Sequence, residues 1–90
     1  MRLDQFLKAS RLVLRRTVAQ ELCEAGAVLI NNIPARSART MRVGDEIQLR
    51  RGKRLLTVRV VAVPAARQTS RSEASDFYEV LSDVALPGLV

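Results

Sequence analysis

The hydrophobic period of the chain changes at Gly26, and that change sets what it can fold into. Upstream, apolar residues recur at helical spacing. Leu3, Phe6 and Leu7 stand at i, i+3 and i+4, which predicts a short amphipathic helix over residues 3–9. Asp4 falls in its first turn, where the helix dipole favours an anion. Ser10 and Arg11 form the exit, and Leu12, Val13 and Leu14 form an apolar, partly buried connector. Val18, Leu22 and Ala25, with Ala19 alongside, line one face of a second helix from about residue 15 to 25. Thr17, Gln20, Glu21 and Glu24 take the opposite side, and Gly26 is the expected left-handed cap.

Downstream the pattern is that of strands. Val28, Leu29 and Ile30 read as a short strand, and Asn31-Asn32 as a tight turn, because asparagine tolerates positive φ. The chain returns from Ile33 to about Arg36, and Pro34 restricts this return to a sheet edge. Residues 37–42 read as a polar loop, and Val43-Gly44-Asp45 as a turn into a strand over Glu46–Arg50. Arg51-Gly52 makes a hairpin, and Leu55–Val63 is expected to be the longest strand, with Leu56, Val58 and Val60 on its buried face. Residues 64–76 are polar and of low complexity, the composition of a flexible linker. The FYEVL run at 77–81 has strand composition, with a short helix as the alternative.

Ninety residues make one domain. The net charge of +6 is unevenly spread. Residues 1–16 hold five cations against Asp4, residues 36–60 hold eight against Asp45 and Glu46, and the remaining segments are acidic. A sequence pI near 11.0 points first to a polyanionic partner, most often nucleic acid. Enzymatic readings fail on the residues present. There is no histidine to act as a base, no glycine-rich phosphate loop, and no acidic cluster at metal spacing. A lone Cys23 without histidine cannot anchor an ordinary structural zinc site; it reads as a small apolar or half-exposed helix residue. Neither metal nor cofactor is expected, and the chain is not expected to be an enzyme. Charges interrupt every apolar run, so neither a signal peptide nor a membrane span is expected, and the location is expected to be cytoplasmic.

Arg15 and Arg16 open the second helix, where the dipole disfavours cations by a few tenths of a kcal/mol or more each. Such a departure from a local stability rule often marks function. At a helix start, phosphate meets guanidinium forks and outward-pointing backbone N–H groups together. Packing of the two short helices would bring Arg2 and Arg11 onto the same surface. The scarcity of aromatic residues argues against single-strand stacking platforms, and the acidic second half of the second helix argues against groove reading. Gripping the phosphates or shape of structured RNA fits better.

The order RLDQFL, SR, RRTVAQELCEAGAVLINN and RVGDEIQLR resembles the ribosomal protein S-four-type RNA-binding domain, the αL motif, over residues 2–60. With RLVLRRTVA, RRGKRLLTVRV and a late YEVL, the full length is similar to the family of the bacterial ribosome-associated quality control protein P. The resemblance implies an α+β fold, two short packed helices against a small twisted, mostly antiparallel sheet. It implies an S-four-type domain over 1–63, a linker over 64–76 and a short C-terminal segment over 77–90. It also implies Arg2, Arg11, Arg15 and Arg16 as the RNA-binding positions, with Lys8, Arg36 and Arg39 as secondary candidates. The implied partners of the monomer are large-subunit ribosomal RNA, peptidyl-tRNA and the large subunit with its quality-control factors, during alanine tailing of stalled chains. Two alternatives stand beside it. One is the heat-shock protein of this domain class, which recycles large subunits and whose tail is typically long and basic. The other is an adaptor whose basic face meets an acidic protein. Asn32 stands where the motif usually has glycine, and Leu14 where many such domains have a serine cap.

Overall fold

The computed structural model describes residues 1–63 and 75–86. Helix α1 spans Leu3–Ala9 and α2 spans Arg16–Glu24. Strands β1 (Val28–Ile30), β2 (Ile33–Pro34), β3 (Glu46–Arg51), β4 (Arg54–Val60) and β5 (Tyr78–Ala85) follow, with a 3-10 turn at Ser75–Phe77. The strands form one antiparallel sheet in the order β2-β1-β3-β4-β5. The protein is therefore an α+β fold with two short helices against a five-stranded sheet.

The local rules behind these elements are visible. Gly26 takes φ +74 and donates to the Cys23 carbonyl at 3.1 Å, while Ala27 donates to the Leu22 carbonyl at 2.9 Å. This pair of bonds closes α2 as a Schellman cap. Asn31 and Asn32 both have positive φ, 52° and 69°, as a type I′ hairpin requires. Asn32 therefore does the work of the motif's usual glycine. Pro34 sits in the edge strand, where its missing N–H disrupts no ladder.

The core lies between the helices and one face of the sheet. Leu3, Phe6 and Leu7 of α1 are fully buried against Val28, Ile30, Ile47, Leu49, Val58 and Val60. Each contributes about 1.5–3 kcal/mol by leaving water. The alternate strand positions, among them Glu46, Gln48, Arg50, Thr57 and Arg59, form the other face.

Several sequence expectations need correction. On α2 the most buried residues are Ala19 and Cys23, while Val18 and Leu22 are half-buried and Ala25 is exposed. Small side chains at i and i+4 form the contact line, and the larger ones flank it. Leu14 is 70% exposed rather than partly buried, while Val13 is buried and Leu12 packs half-buried against the core. Strand β4 ends at Val60, and β5, not β4, is the longest strand. The FYEVL run at 77–81 is strand from Tyr78 on, not helix, and it continues to Ala85, with Glu79 and Asp83 forming ion pairs to Arg59 and Arg54 of β4. The linker expected over 64–76 lies, through residue 74, outside the described residues.

Candidate nucleic-acid interface

The side chain that organises the basic face is acidic. Asp4 is fully buried at the first turn of α1. Its Oδ1 accepts the Gln5 backbone N–H at 2.9 Å and Arg2 Nε at 3.2 Å. Its Oδ2 accepts Arg16 Nε at 3.0 Å, Gln20 Nε2 at 3.0 Å and, more weakly, Arg2 Nη2 at 3.4 Å. Burial alone would raise the Asp4 pKa, but the Gln20 and Arg16 hydrogen bonds and the charges of Arg16 and Arg2 outweigh it and hold the carboxyl below its ordinary value. Asp4 is therefore ionised at neutral pH.

This answers the puzzle of cations at a helix start. Arg16 is not unneutralised. Its Nε is bound to Asp4, so its amino groups remain for an external anion, and its side chain stays 40% exposed. Arg2, 43% exposed, is held at the other carboxylate oxygen. One buried anion thus joins two guanidinium groups from separate helices on one surface. Arg15 precedes them as the exposed N-cap of α2, with φ −126° and no side-chain cap bond.

The two helix starts differ in what they leave open. At α1, Leu3 and Asp4 donate their backbone N–H groups to the carbonyls of Arg39 and Ser37, at 2.7 and 3.1 Å. The 36–40 loop therefore closes that end and places Arg39 beside α1, while Arg36 lines a cleft with Cys23 and Glu24 of α2; both arginines are exposed. At α2, no acceptor among the described residues meets the N–H groups of Arg16, Thr17 or Val18. The open donors, the positive end of the helix and Arg15 and Arg16 coincide, the arrangement that accepts phosphate oxygens.

Arg11 and Lys8 lie at the far end of α1, both exposed. Along the helix axis Arg11 is about 13 Å from Arg2, and no hydrogen bond or ion pair ties it to the Asp4 cluster. Its backbone is unusual, with φ +60° directly after α1. The left-handed region costs an L residue with a Cβ roughly 1–2 kcal/mol relative to glycine. A glycine would fit this turn better, so the position holds a cation at a local cost in stability.

The sequence singled out the arginines as candidates but missed Asp4 and Gln20, which tie Arg2 and Arg16 together. The partners of Asp4 lie 12 and 16 positions downstream, beyond any local periodicity. The only signal was an acidic residue embedded between Leu3, Phe6 and Leu7. Leu14, directly before Arg15, is exposed. Cys23 is buried; burial, with the charges of Asp4 and Glu24, pushes its thiol pKa up to about 11, so it is inert at neutral pH. Among the described residues no group of His, Cys, Asp and Glu could hold a metal ion, and no helix is long and apolar enough to cross a membrane.

The helix pair and first strands define an S4 domain, whose family model matches residues 1–47. The RQC P-site tRNA stabilizing factor of Halalkalibacterium halodurans is 46% identical over 89% of this chain and 89% of its own length. That of Bacillus subtilis is 40% identical over 96% of this chain and 98% of its own. The chain belongs to this family of S4-domain proteins. Among solved structures, trimeric heat shock protein 15 of Vibrio cholerae superimposes with a TM-score of 0.83 at 28% identity, covering 91% of this chain and 82% of that one.

Proposed function

We propose that this protein binds structured RNA without catalysis, through Arg2, Arg11, Arg15 and Arg16 with secondary contacts from Lys8, Arg36 and Arg39. The RNA we assign is that of stalled ribosomes: large-subunit ribosomal RNA together with peptidyl-tRNA, in the cytoplasm, while the nascent chain is extended with alanine. The observation that carries the reading is the Asp4 cluster, which fixes Arg2 and Arg16 side by side and leaves both amino groups of Arg16 and one of Arg2 for an external anion. Its placement beside the open start of α2 gives a surface for neighbouring phosphates. Support for the ribosomal assignment is the relatives' name, which specifies a tRNA in the P site.

A second reading is recycling of large subunits in the manner of the heat-shock relatives. The match to heat shock protein 15 favours it, and the trimer in that structure stands against the monomer expected here. Fractionation of cell extract separates the two. On the first reading the tagged protein co-migrates with large subunits carrying peptidyl-tRNA, and alanine tails disappear when it is deleted. Tails that persist in the deletion strain would favour recycling. An acidic protein that stays with the tagged protein in a pull-down after RNase treatment would instead make the basic face a protein-binding surface.

A further inference from the structure

A second feature lies apart from the Asp4 cluster, at the tip of the β3–β4 hairpin. Arg50, Arg51, Lys53 and Arg54 crowd this tip, all exposed. Beneath it is an open cleft of about 230 Å3, floored by Leu12, Leu49 and Leu56 and edged by Arg51, Arg54 and Asp83. This is smaller than the roughly 300–1,000 Å3 pockets that take whole small molecules. It is suited to one flat ring.

The edge of the cleft is rigidly built on one side. Arg54 Nε and Nη2 both donate to Asp83 Oδ1, at 3.2 and 2.9 Å, across the β4–β5 ladder. The guanidinium is therefore held in one plane while its side chain remains 62% exposed. A fixed, exposed guanidinium plane is a stacking surface for a nucleobase in a protein poor in aromatic residues. Leu12 ties the cleft to the basic helix pair, since it follows Arg11 directly.

We infer that this cleft takes a single unpaired nucleobase of the bound RNA, stacked on Arg54 over the leucine floor, with flanking phosphates on Arg51, Lys53 and Arg11. The inference rests on the RNA-binding reading above and adds a site to it. An acidic peptide fits less well, because the apolar floor would face its charges and Asp83 would repel it. RNA presents a ring to the floor and phosphates to the tip.

The test uses the full chain and two RNA stem-loops that differ at one position. One carries a bulged fluorescent purine, the other an abasic ribose at the same place. Wild type binds the bulged RNA about fivefold or more tightly than the abasic one, the low end of base-stacking effects, and alters the purine's fluorescence. Arg54→Lys keeps the charge but not the plane, so it binds the abasic RNA as wild type does and loses the preference. Equal binding of the two RNAs by wild type, or a preference that survives Arg54→Lys, overturns the cleft alone. Competition by a free purine mononucleotide as effective as the bulged RNA also overturns it, by making the cleft a small-molecule site. Binding to neither RNA overturns both this inference and the RNA-binding reading.

Discussion

Replacing Asp4 with asparagine separates a positional account of the basic face from a purely electrostatic one. The substitution is nearly isosteric and removes one negative charge, raising the net charge from +6 to +7. If charge alone drove RNA binding, affinity would rise. In the structure, however, that carboxylate accepts Arg2, Arg16 and Gln20 at once. Asparagine offers one acceptor oxygen and turns an NH2 group toward the guanidinium groups. A charge-assisted bond contributes roughly 1.5–3 kcal/mol when well shielded. Both arginines are about 40% open to solvent, so the low end applies. The expected cost for the pair is about 2–3 kcal/mol, a large part of the roughly 5–13 kcal/mol of a domain this size. At about 4–8 °C per kcal/mol, the melting midpoint should fall by roughly 10–20 °C. Thermal melting is paired with fluorescence anisotropy against a structured RNA, at a temperature where both proteins are folded. The reasoning is refuted if Asp4→Asn melts like wild type and binds as tightly or more tightly.

Other expected outcomes follow from the same geometry. Arg15→Ala should leave the melting midpoint within the range of surface substitutions, about 0.5 kcal/mol, while weakening RNA binding. Arg16→Ala should lower both, because it also strips Asp4 of a partner. Arg11→Gly should raise stability by up to roughly 1 kcal/mol by relieving the left-handed backbone and still lower RNA affinity; a destabilised variant would contradict the strain argument. Asp4 has a lowered pKa in the fold, so its contribution is complete at neutral pH and disappears as pH falls below the ordinary value of 3.8 toward the depressed one. Acid titration of wild type beside Asp4→Asn should show the two stability curves converging in that range. The Cys23 thiol should resist alkylation at neutral pH in the folded protein and react once denatured; rapid labelling of the native state would show that α2 opens.

The parts of the fold set by local chemistry were legible in the sequence. Leu3, Phe6 and Leu7 marked α1, Gly26 marked the end of α2, and Asn31-Asn32 with Pro34 marked a hairpin at a sheet edge. Each signal lies within a few residues of the element it determines. What was not legible depended on distance along the chain. Leu22 looks like the centre of an apolar face, yet the tertiary approach of α2 selects the smaller Ala19 and Cys23. The FYEVL run left strand and short helix both open, and the continuation of β5 to Ala85 is set by its pairing with β4, where Glu79 lies opposite Arg59 and Asp83 bonds Arg54 on the diagonal. Asp4 read as a dipole partner for its own helix, when its main role is to join Arg2 to Arg16 across the helix pair. Arg15 and Arg16 stood out as candidates because a cation at a helix start breaks a local rule; for Arg16 the reason the rule can be broken is its bond to Asp4.

The central claim is that the helix-pair arginines, and not the overall positive charge, form the RNA grip. The most direct measurement is the salt dependence of binding to large subunits for single glutamine variants. Wild type should give a log–log slope of about −3 to −4 for four phosphate contacts. Arg11→Gln and Arg15→Gln should each flatten it by about one unit. Arg59→Gln, on the sheet face away from the helices and paired with Glu79, should leave the slope unchanged. Equal flattening by all three variants would mean that diffuse charge holds the RNA, and would contradict the account.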